Sequence, residues 1–419
     1  MMKEISLQDC LIDVIDNRGV TPHKRGTEWK DFGIPVYSAN NIKTTGIQKK
    51  DEIRYIDEKI YDSWMKIPLE KGDILLTSEA PAGEVFYWDS NDKIIVGQRL
   101  YGLKVKKEIN SKYLKYYLQS SIGQKAILSQ QSGSTVSGIS AKTFSNIKIH
   151  LPEKNKQDDI GEFLYKLDKK IETNNTINFE LESMAKTLYD YWFLQFDFPN
   201  DEGKPYKSSG GKMVWNEQLK REIPEGWGVT NFYEEKLCSI IGTGVSKFDK
   251  KVYLATANIN NEKITDGEIT DYESRESRAN MQPKNYSVWF AKMKDSIKHI
   301  FIPDNSEWFI EKYILSTGFY GLQCNEITFA YVASYIKDKN FEIQKNLLAH
   351  GSTQKAISDE NLKKFMLAVP TINVLRKYAD KVNLIFEMKF LNLKENQELS
   401  SLRDFLLPLL MNGQVTFKE

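Results

Sequence analysis

A chain of 419 residues, 41% hydrophobic and 27% charged, has material for two or three domains with real cores. Its formal net charge of +1 excludes the bulk basicity that holds nucleic acid by charge alone, though a local basic face, or partner chains supplying phosphate contacts, would fit a neutral total. Cys10, Cys238 and Cys324 are widely spaced and form no CxxC pair, which supports neither a disulfide framework nor a zinc site. The N-terminus lacks an apolar h-region and no stretch approaches about 18 apolar residues, so a reduced, cytoplasmic protein without membrane contact is expected.

Residues 1–152 read as a mixed domain of short strands at 34–42, 72–78, 93–105 and 146–152, where β-branched and aromatic residues are bounded by turn formers. Residues 111–128 are amphipathic and read as a helix that ends near Gly123 or continues past it. The segment 153–197 changes character. From about Lys156 to Phe193 it has no proline, one glycine and apolar residues alternating by four and three: Ile160, Leu164, Leu167, Ile171, then Leu181, Ala185, Leu188 and Trp192. Asn174 and Asn178 occupy the two missing rungs. At ~1.5 Å per residue such a helix spans roughly 55 Å. Residues 198–222, rich in Gly, Pro and Lys, read as a linker, and 223–370 as a second domain. A second long helix over 371–412 carries Tyr378, Val382, Ile385, Leu399, Leu406 and Leu410 on one seam, with Asn392 and Asn396 as polar rungs.

The order domain, helix, domain, helix is a duplication. GSTVSGIS at 133–140 returns as GSTQKAIS at 351–358, an offset of 218 (351 minus 133). Leu151-Pro152 answers Val369-Pro370, and Asn178, Glu180 and Leu181 answer Asn396, Glu398 and Leu399. Tyr101-Gly102-Leu103 matches Tyr320-Gly321-Leu322 at 219. Solenoid periods run only from about 20 to 50 residues, so the repeat unit is a whole domain plus its helix. The expected fold is α+β: two mixed α/β domains joined by two long antiparallel coiled-coil helices with internal pseudo-two-fold symmetry. Asn174 and Asn178 should then face Asn392 and Asn396, giving up stability to fix register. The competing reading has each seam packing on the chain's own globular domain.

Motifs for chemistry are mostly absent. There is no Pro-Pro dipeptide, hence no (Asn/Asp)-Pro-Pro-aromatic loop, and no P-loop. Gly242-Thr243-Gly244 reads as a turn, Asp73 as a turn entering a strand, and Glu79 makes no convincing nuclease carboxylate; His23, His150, His299 and His350 lack ligand spacing. No catalytic residue or metal site is assigned. What repeats is a pair of polar loops. Ser38, Asn40 and Asn41 in the first domain, and Thr256, Asn258 and Asn260 in the second, follow a strand, and Asn suits bidentate bonding to adenine N6 and N7. Ser134 and Thr135, with Ser352 and Thr353, offer hydroxyls and backbone N–H groups to phosphate oxygens. Arg18, Lys24, Arg25, Lys43 and Arg99, with Lys247, Lys284 and Lys355, could supply charge. The bland alternative for each is a capped turn or a solvated face.

The two domain–helix units, the IPEGW start of the second domain, the FPNDEGKPYKSSGGKMVW segment and the GSTxxxIS…LP entry into each long helix together resemble the specificity subunit of type I restriction-modification systems, over essentially the whole chain. The resemblance implies two recognition domains, each reading half of a bipartite double-stranded DNA site, and helices that act as spacer and as docking platform for two methyltransferase subunits. Motor-nuclease subunits would complete the complex. S-adenosylmethionine, ATP and Mg would then be bound by those partners, and this chain would need no cofactor. Between the shared motifs the two domains diverge, which implies different half-sites and an asymmetric target. Two rivals are a coiled-coil scaffold without base-specific DNA binding, which leaves the duplicated polar loops unexplained, and a self-contained adenine methyltransferase, which lacks its loop.

Overall fold

The computed structural model describes residues 2–133, 137–351 and 355–417. It divides into two units, 1–172 with 396–419, and 173–395, so each unit takes in part of both long helices.

In the first unit a four-stranded antiparallel sheet runs in the order Leu11–Asp16, Leu100–Val105, Ile74–Thr77, Val85–Tyr87. Its centre is buried because ILLT and LYGL leave no polar side of the kind an exposed strand shows. Gly102 belongs there for a steric reason: a Cβ would come within 3.0 Å of Ile15 and 3.1 Å of Leu69. A smaller sheet places Ile34–Tyr37 between Arg54–Ile56 and, in parallel, Ile95–Val96. Lys3–Ser6 pairs with Lys148–Leu151. The second unit repeats this plan. Ser239–Ile241, Phe319–Gln323, Ser287–Ala291 and His299–Ile302 form the four-stranded sheet in the same order. Lys251–Leu254 pairs in parallel with Tyr313–Ser316, and Gly228–Thr230 pairs with Leu367–Val369. Gly321 is the counterpart of Gly102, and a Cβ on it would strike the Trp289 ring at 2.4 Å. The duplicated Tyr-Gly-Leu is therefore a packing motif.

Several boundaries differ from the sequence reading. The helix expected over 111–128 is two, Ser111–Gln119 and Ser121–Leu128. Ser120 ends one and caps the next by accepting from Gly123 N–H, and Gly123 sits so close to the Tyr117 carbonyl that a Cβ would lie 2.0 Å from it. The strand placed over 93–105 is likewise two, Ile95–Val96 and Leu100–Val105. Residues 198–222 are not an open linker. Phe198 stacks on Tyr206 and on Trp227, Asp197 binds Ser208, and Met213–Asn216 forms a hairpin with Arg221–Pro224. Aromatic residues between the glycines supply the buried contacts that a flexible segment lacks.

The first long helix spans Lys154–Tyr189 and continues as a π-turn over Asp190–Leu194; the second spans Ile372–Met411. Both packing readings hold, at different places. In the first unit Ile160 and Leu164 enter the domain core together with Leu410 and Met411. In the second unit Ala185, Tyr189, Trp192 and Phe193 share a core with Tyr378, Val382, Ile385 and Phe386. Away from the cores the helices pair directly. Within the second unit Asn392 Nδ2 donates to Asn178 Oδ1 at 2.8 Å, Asn174 Nδ2 donates to Glu395 Oε2 at 2.7 Å, and Lys389 Nζ lies 3.1 Å from Glu182. Partner numbers rise on one helix as they fall on the other, so the pairing is antiparallel. Within the first unit Arg403 reaches Asp168 at 2.9 Å in the same sense. Asn174 thus has a carboxylate among its partners instead of the asparagine match alone, and Asn396 belongs to the first unit. No helix among the described residues is long and apolar enough to cross a membrane.

Candidate nucleic-acid interface

In each unit three backbone segments meet at the end of the four-stranded sheet. In the first, Ser78 N–H donates to the Arg99 carbonyl at 2.9 Å, and Ile139 N–H donates to the Ser78 carbonyl at 2.8 Å. In the second, Lys292 N–H donates to the Gly318 carbonyl at 3.0 Å, and Ile357 N–H to the Lys292 carbonyl at 3.0 Å. Flanking each GST motif, paired backbone bonds join Ser132 with Gly138 and His350 with Ala356, at 2.9 to 3.1 Å. Ser134, Thr135, Ser352 and Thr353 lie outside the described residues.

Beneath each mouth stands the duplicated tyrosine. Tyr101 donates its hydroxyl proton to the Ile139 carbonyl at 2.9 Å and accepts from Ala141 N–H at 3.0 Å; Tyr320 donates to Asp359 at 2.6 Å. A cation covers each ring: the Arg18 guanidinium and the Lys292 ammonium both sit 4.3 Å from the ring centroid. Its hydrogen bonds to Asp16 hold Arg18 even more firmly protonated than usual, while burial pulls the Lys292 pKa down despite the nearby Asp359. Lys292 is the site residue that sequence reasoning passed over. The signal available was its position immediately after the buried strand Ser287–Ala291, where Ser78 stands in the first domain.

The asparagine loops are built alike. Asn41 is buried, and its Oδ1 accepts from Ser38 N–H at 3.1 Å and from the Ser38 hydroxyl at 3.0 Å, while Nδ2 donates to the Lys49 carbonyl at 3.3 Å. Asn258 Oδ1 accepts from Ala255 N–H at 2.9 Å and its Nδ2 donates to the Asp266 carbonyl at 2.6 Å. Both amides spend a donor and an acceptor on closing a strand-to-hairpin turn. Ser38 is consumed by the same turn. Thr256 contributes its carbonyl, which accepts from Lys298 at 2.6 Å. Asn40, exposed, donates to Glu52 at 2.8 Å, and Asn260 is exposed on the short strand Ile259–Asn260.

The cations are scattered. Arg18 and Arg99 lie at the first mouth, Arg99 Nε 3.1 Å from Glu79 Oε1. Lys24 donates to the Gly19 carbonyl at 2.7 Å, Lys43 faces Glu84 at 3.9 Å, and Arg25 closes a 3-10 turn without a side-chain partner among the described residues. Lys355 is exposed at the second mouth, its carbonyl accepting from Lys294 at 2.9 Å. Lys247, 3.7 Å from Glu273, and Lys284, exposed beside Ser287, belong to other loops. Asp73 is structural, accepting from Glu70 N–H and from Lys104. No group of three His, Cys, Asp or Glu poised to hold a metal occurs among the described residues, and the three cysteines are buried and free.

Residues 3–183 match the family described as the type I restriction modification DNA specificity domain. Beyond that stretch, the chain is similar along most of its length to type I restriction-modification specificity subunits. It is 24% identical over 385 residues to the type I restriction enzyme MjaIX specificity subunit of Methanocaldococcus jannaschii, covering 87% of this chain and 83% of that one. To the HindI specificity subunit of Haemophilus influenzae it is 22% identical over 423 residues, covering 84% and 88%. Its fold is similar to the crystal structure of a type I S subunit from M. genitalium, with a TM-score of 0.61 at 16% identity over 98% of this chain and 96% of that one. The two mouths are places where one backbone presents two different sets of side chains.

Proposed function

We propose that this specificity subunit assigns the DNA sequence for a type I complex, each domain reading one half of a bipartite, asymmetric site. The observation that carries the reading is the mouth built twice on one hydrogen-bonded backbone with different side chains: Ser78, Glu79 and Arg99 against Lys292, Met293 and Gly318. A rigid frame with exchangeable side chains is what half-site reading needs, since register comes from the frame and sequence from the groups it carries. The long helices would set the distance between half-sites and dock two methyltransferase subunits, with motor-nuclease subunits completing the assembly. In the second unit Phe179, Leu384 and Leu391 are 70%, 59% and 58% exposed on those helices, apolar surface that a docked partner would cover. The complex would work in the cytoplasm, and S-adenosylmethionine, ATP and Mg would be held by the partner chains.

The purified chain is accordingly expected to transfer no methyl group, cut no DNA and hydrolyse no ATP. Methylation by the isolated chain would contradict this. Methylome sequencing of the host with and without the gene tests the assignment: one bipartite motif should disappear with the gene. The rival reading, a scaffold without base-specific binding, predicts that the methylome does not change.

A further inference from the structure

The two mouths differ most at one place, and the difference there is chemical as well as steric. Arg99 has φ +60°, a left-handed conformation that a residue with a Cβ adopts at an energetic cost and keeps where its surroundings enforce it. Its counterpart in the second domain is a glycine, Gly318. The enforcing contacts are visible: the Arg99 carbonyl accepts from Ser78 N–H, and its Nε sits 3.1 Å from Glu79. Glu79 faces that inner edge as an ion pair. The two terminal NH2 groups make no hydrogen bond among the described residues, and the side chain is 52% exposed. A guanidinium with a carboxylate beside its Nε edge, and with both NH2 groups making no hydrogen bond among the described residues, can present the two parallel donors that match guanine O6 and N7 in the major groove. A carboxylate at a DNA-facing rim is repelled by phosphates, so Glu79 is at home there only beside a cation it orients. At the matching place the second domain carries Met293, with no carboxylate.

Resting on the proposed function, we infer that Arg99, aimed by Glu79, reads a guanine in the half-site taken by the first domain, and that the second domain does not read guanine from the equivalent position. Arg99 is thereby a base-reading residue and Glu79 a positioning residue.

The test uses the full chain with its methyltransferase subunits in the host, scored by the methylated motif. Arg99→Gly removes the guanidinium and suits the backbone at φ +60°; Arg99→Lys keeps the charge without the paired donors, and Glu79→Gln keeps the shape without the carboxylate. Both Arg99 variants should make one guanine of one half-site degenerate, with methylation of the original site down about 10- to 100-fold, the worth of one bidentate base contact. Glu79→Gln should weaken discrimination at that same position and nowhere else. An unchanged motif in Arg99→Gly, or a loss of activity spread evenly over all positions, would overturn the inference and make Arg99 at most a phosphate contact. A wild-type host whose methylome does not depend on the gene would instead remove the proposed function beneath it. If Arg99→Gly yields no folded protein, Arg99→Lys alone decides: a motif identical to wild type is the overturning result.

Discussion

Asp168 on the first long helix accepts from Lys115 at 2.8 Å, from the Tyr116 hydroxyl at 2.5 Å and from Arg403 at 2.9 Å. Burial pulls the Lys115 ammonium down to about 8, and the Asp168 charge is what keeps it charged at neutral pH. Removing one partner of such a pair leaves the other charge buried without compensation, which costs several kcal/mol. Asp168→Asn is expected to lower unfolding stability by about 3 kcal/mol in urea titration; a loss below about 0.5 kcal/mol would show that water already screens Lys115. Little of this was legible in the sequence, where Asp168 and Arg403 are unremarkable charges in separate helices. Asn41 and Asn258 are ambiguous in the opposite way. Their residue type and loop setting fit base reading and turn closure equally, and only the hydrogen-bond partners, Lys49 and Asp266, decide for the turn. The Tyr-Gly-Leu repeat marks a part of the frame whose packing tolerates little change, since a Cβ on Gly102 or Gly321 would strike its neighbours. The side chains that vary upon it, Glu79 and Lys292 among them, leave no pattern for a single sequence to show.

The long helices were the most legible elements, since a four-three apolar spacing kept up over several turns fits a long helix and little else. Their ends were less so. A seam residue that enters a domain core, such as Leu164 or Tyr378, has the same spacing as one that meets the other helix. The hairpin within 198–222 was hidden by its glycines and lysines, although Phe198, Tyr206 and Trp227 hold it in place. Asp89 ties the first helix to its own domain, held by the Tyr165 hydroxyl, by Lys71 at 3.0 Å and by Lys169 at 3.1 Å. Partial burial acts to raise its pKa, but these three donors outweigh it and bring the carboxyl down to about 2 from 3.8. Because the folded value is depressed, the stabilisation is complete above about pH 4 and is lost as pH falls toward 2. Asp89→Asn should therefore cost about 1 kcal/mol at pH 7, after allowance for solvent screening, and the gap from wild type should close below about pH 4. A gap that stays constant down to about pH 3 would remove Asp89 as its source. A second element-scale test concerns spacing. Four residues added to each helix, near Asn174 and Asn392, lengthen it by roughly 6 Å, and B-DNA rises ~3.4 Å per base pair, so the gap between half-sites should grow by about two base pairs. An active double insertion that kept the original gap would show that the helices do not set it; a single insertion should break the Asn178–Asn392 match and cost assembly.

At the scale of the whole molecule, one domain plan occurs twice, down to the order of four strands and the bonds that close each mouth, while the side chains at those mouths diverge. A scaffold protein has no use for that combination of retained frame and altered rim; a reader of two unlike half-sites does. The central claim is that each domain reads independently of the other. The most direct measurement is the methylated motif after residues 1–152 are replaced by the corresponding domain of another specificity subunit, with the cognate methyltransferase subunits present. One half of the motif should change to that of the donor, while the half read by residues 223–370 and the gap between the halves stay as they were. A motif changed in both halves, or in neither, would contradict the account.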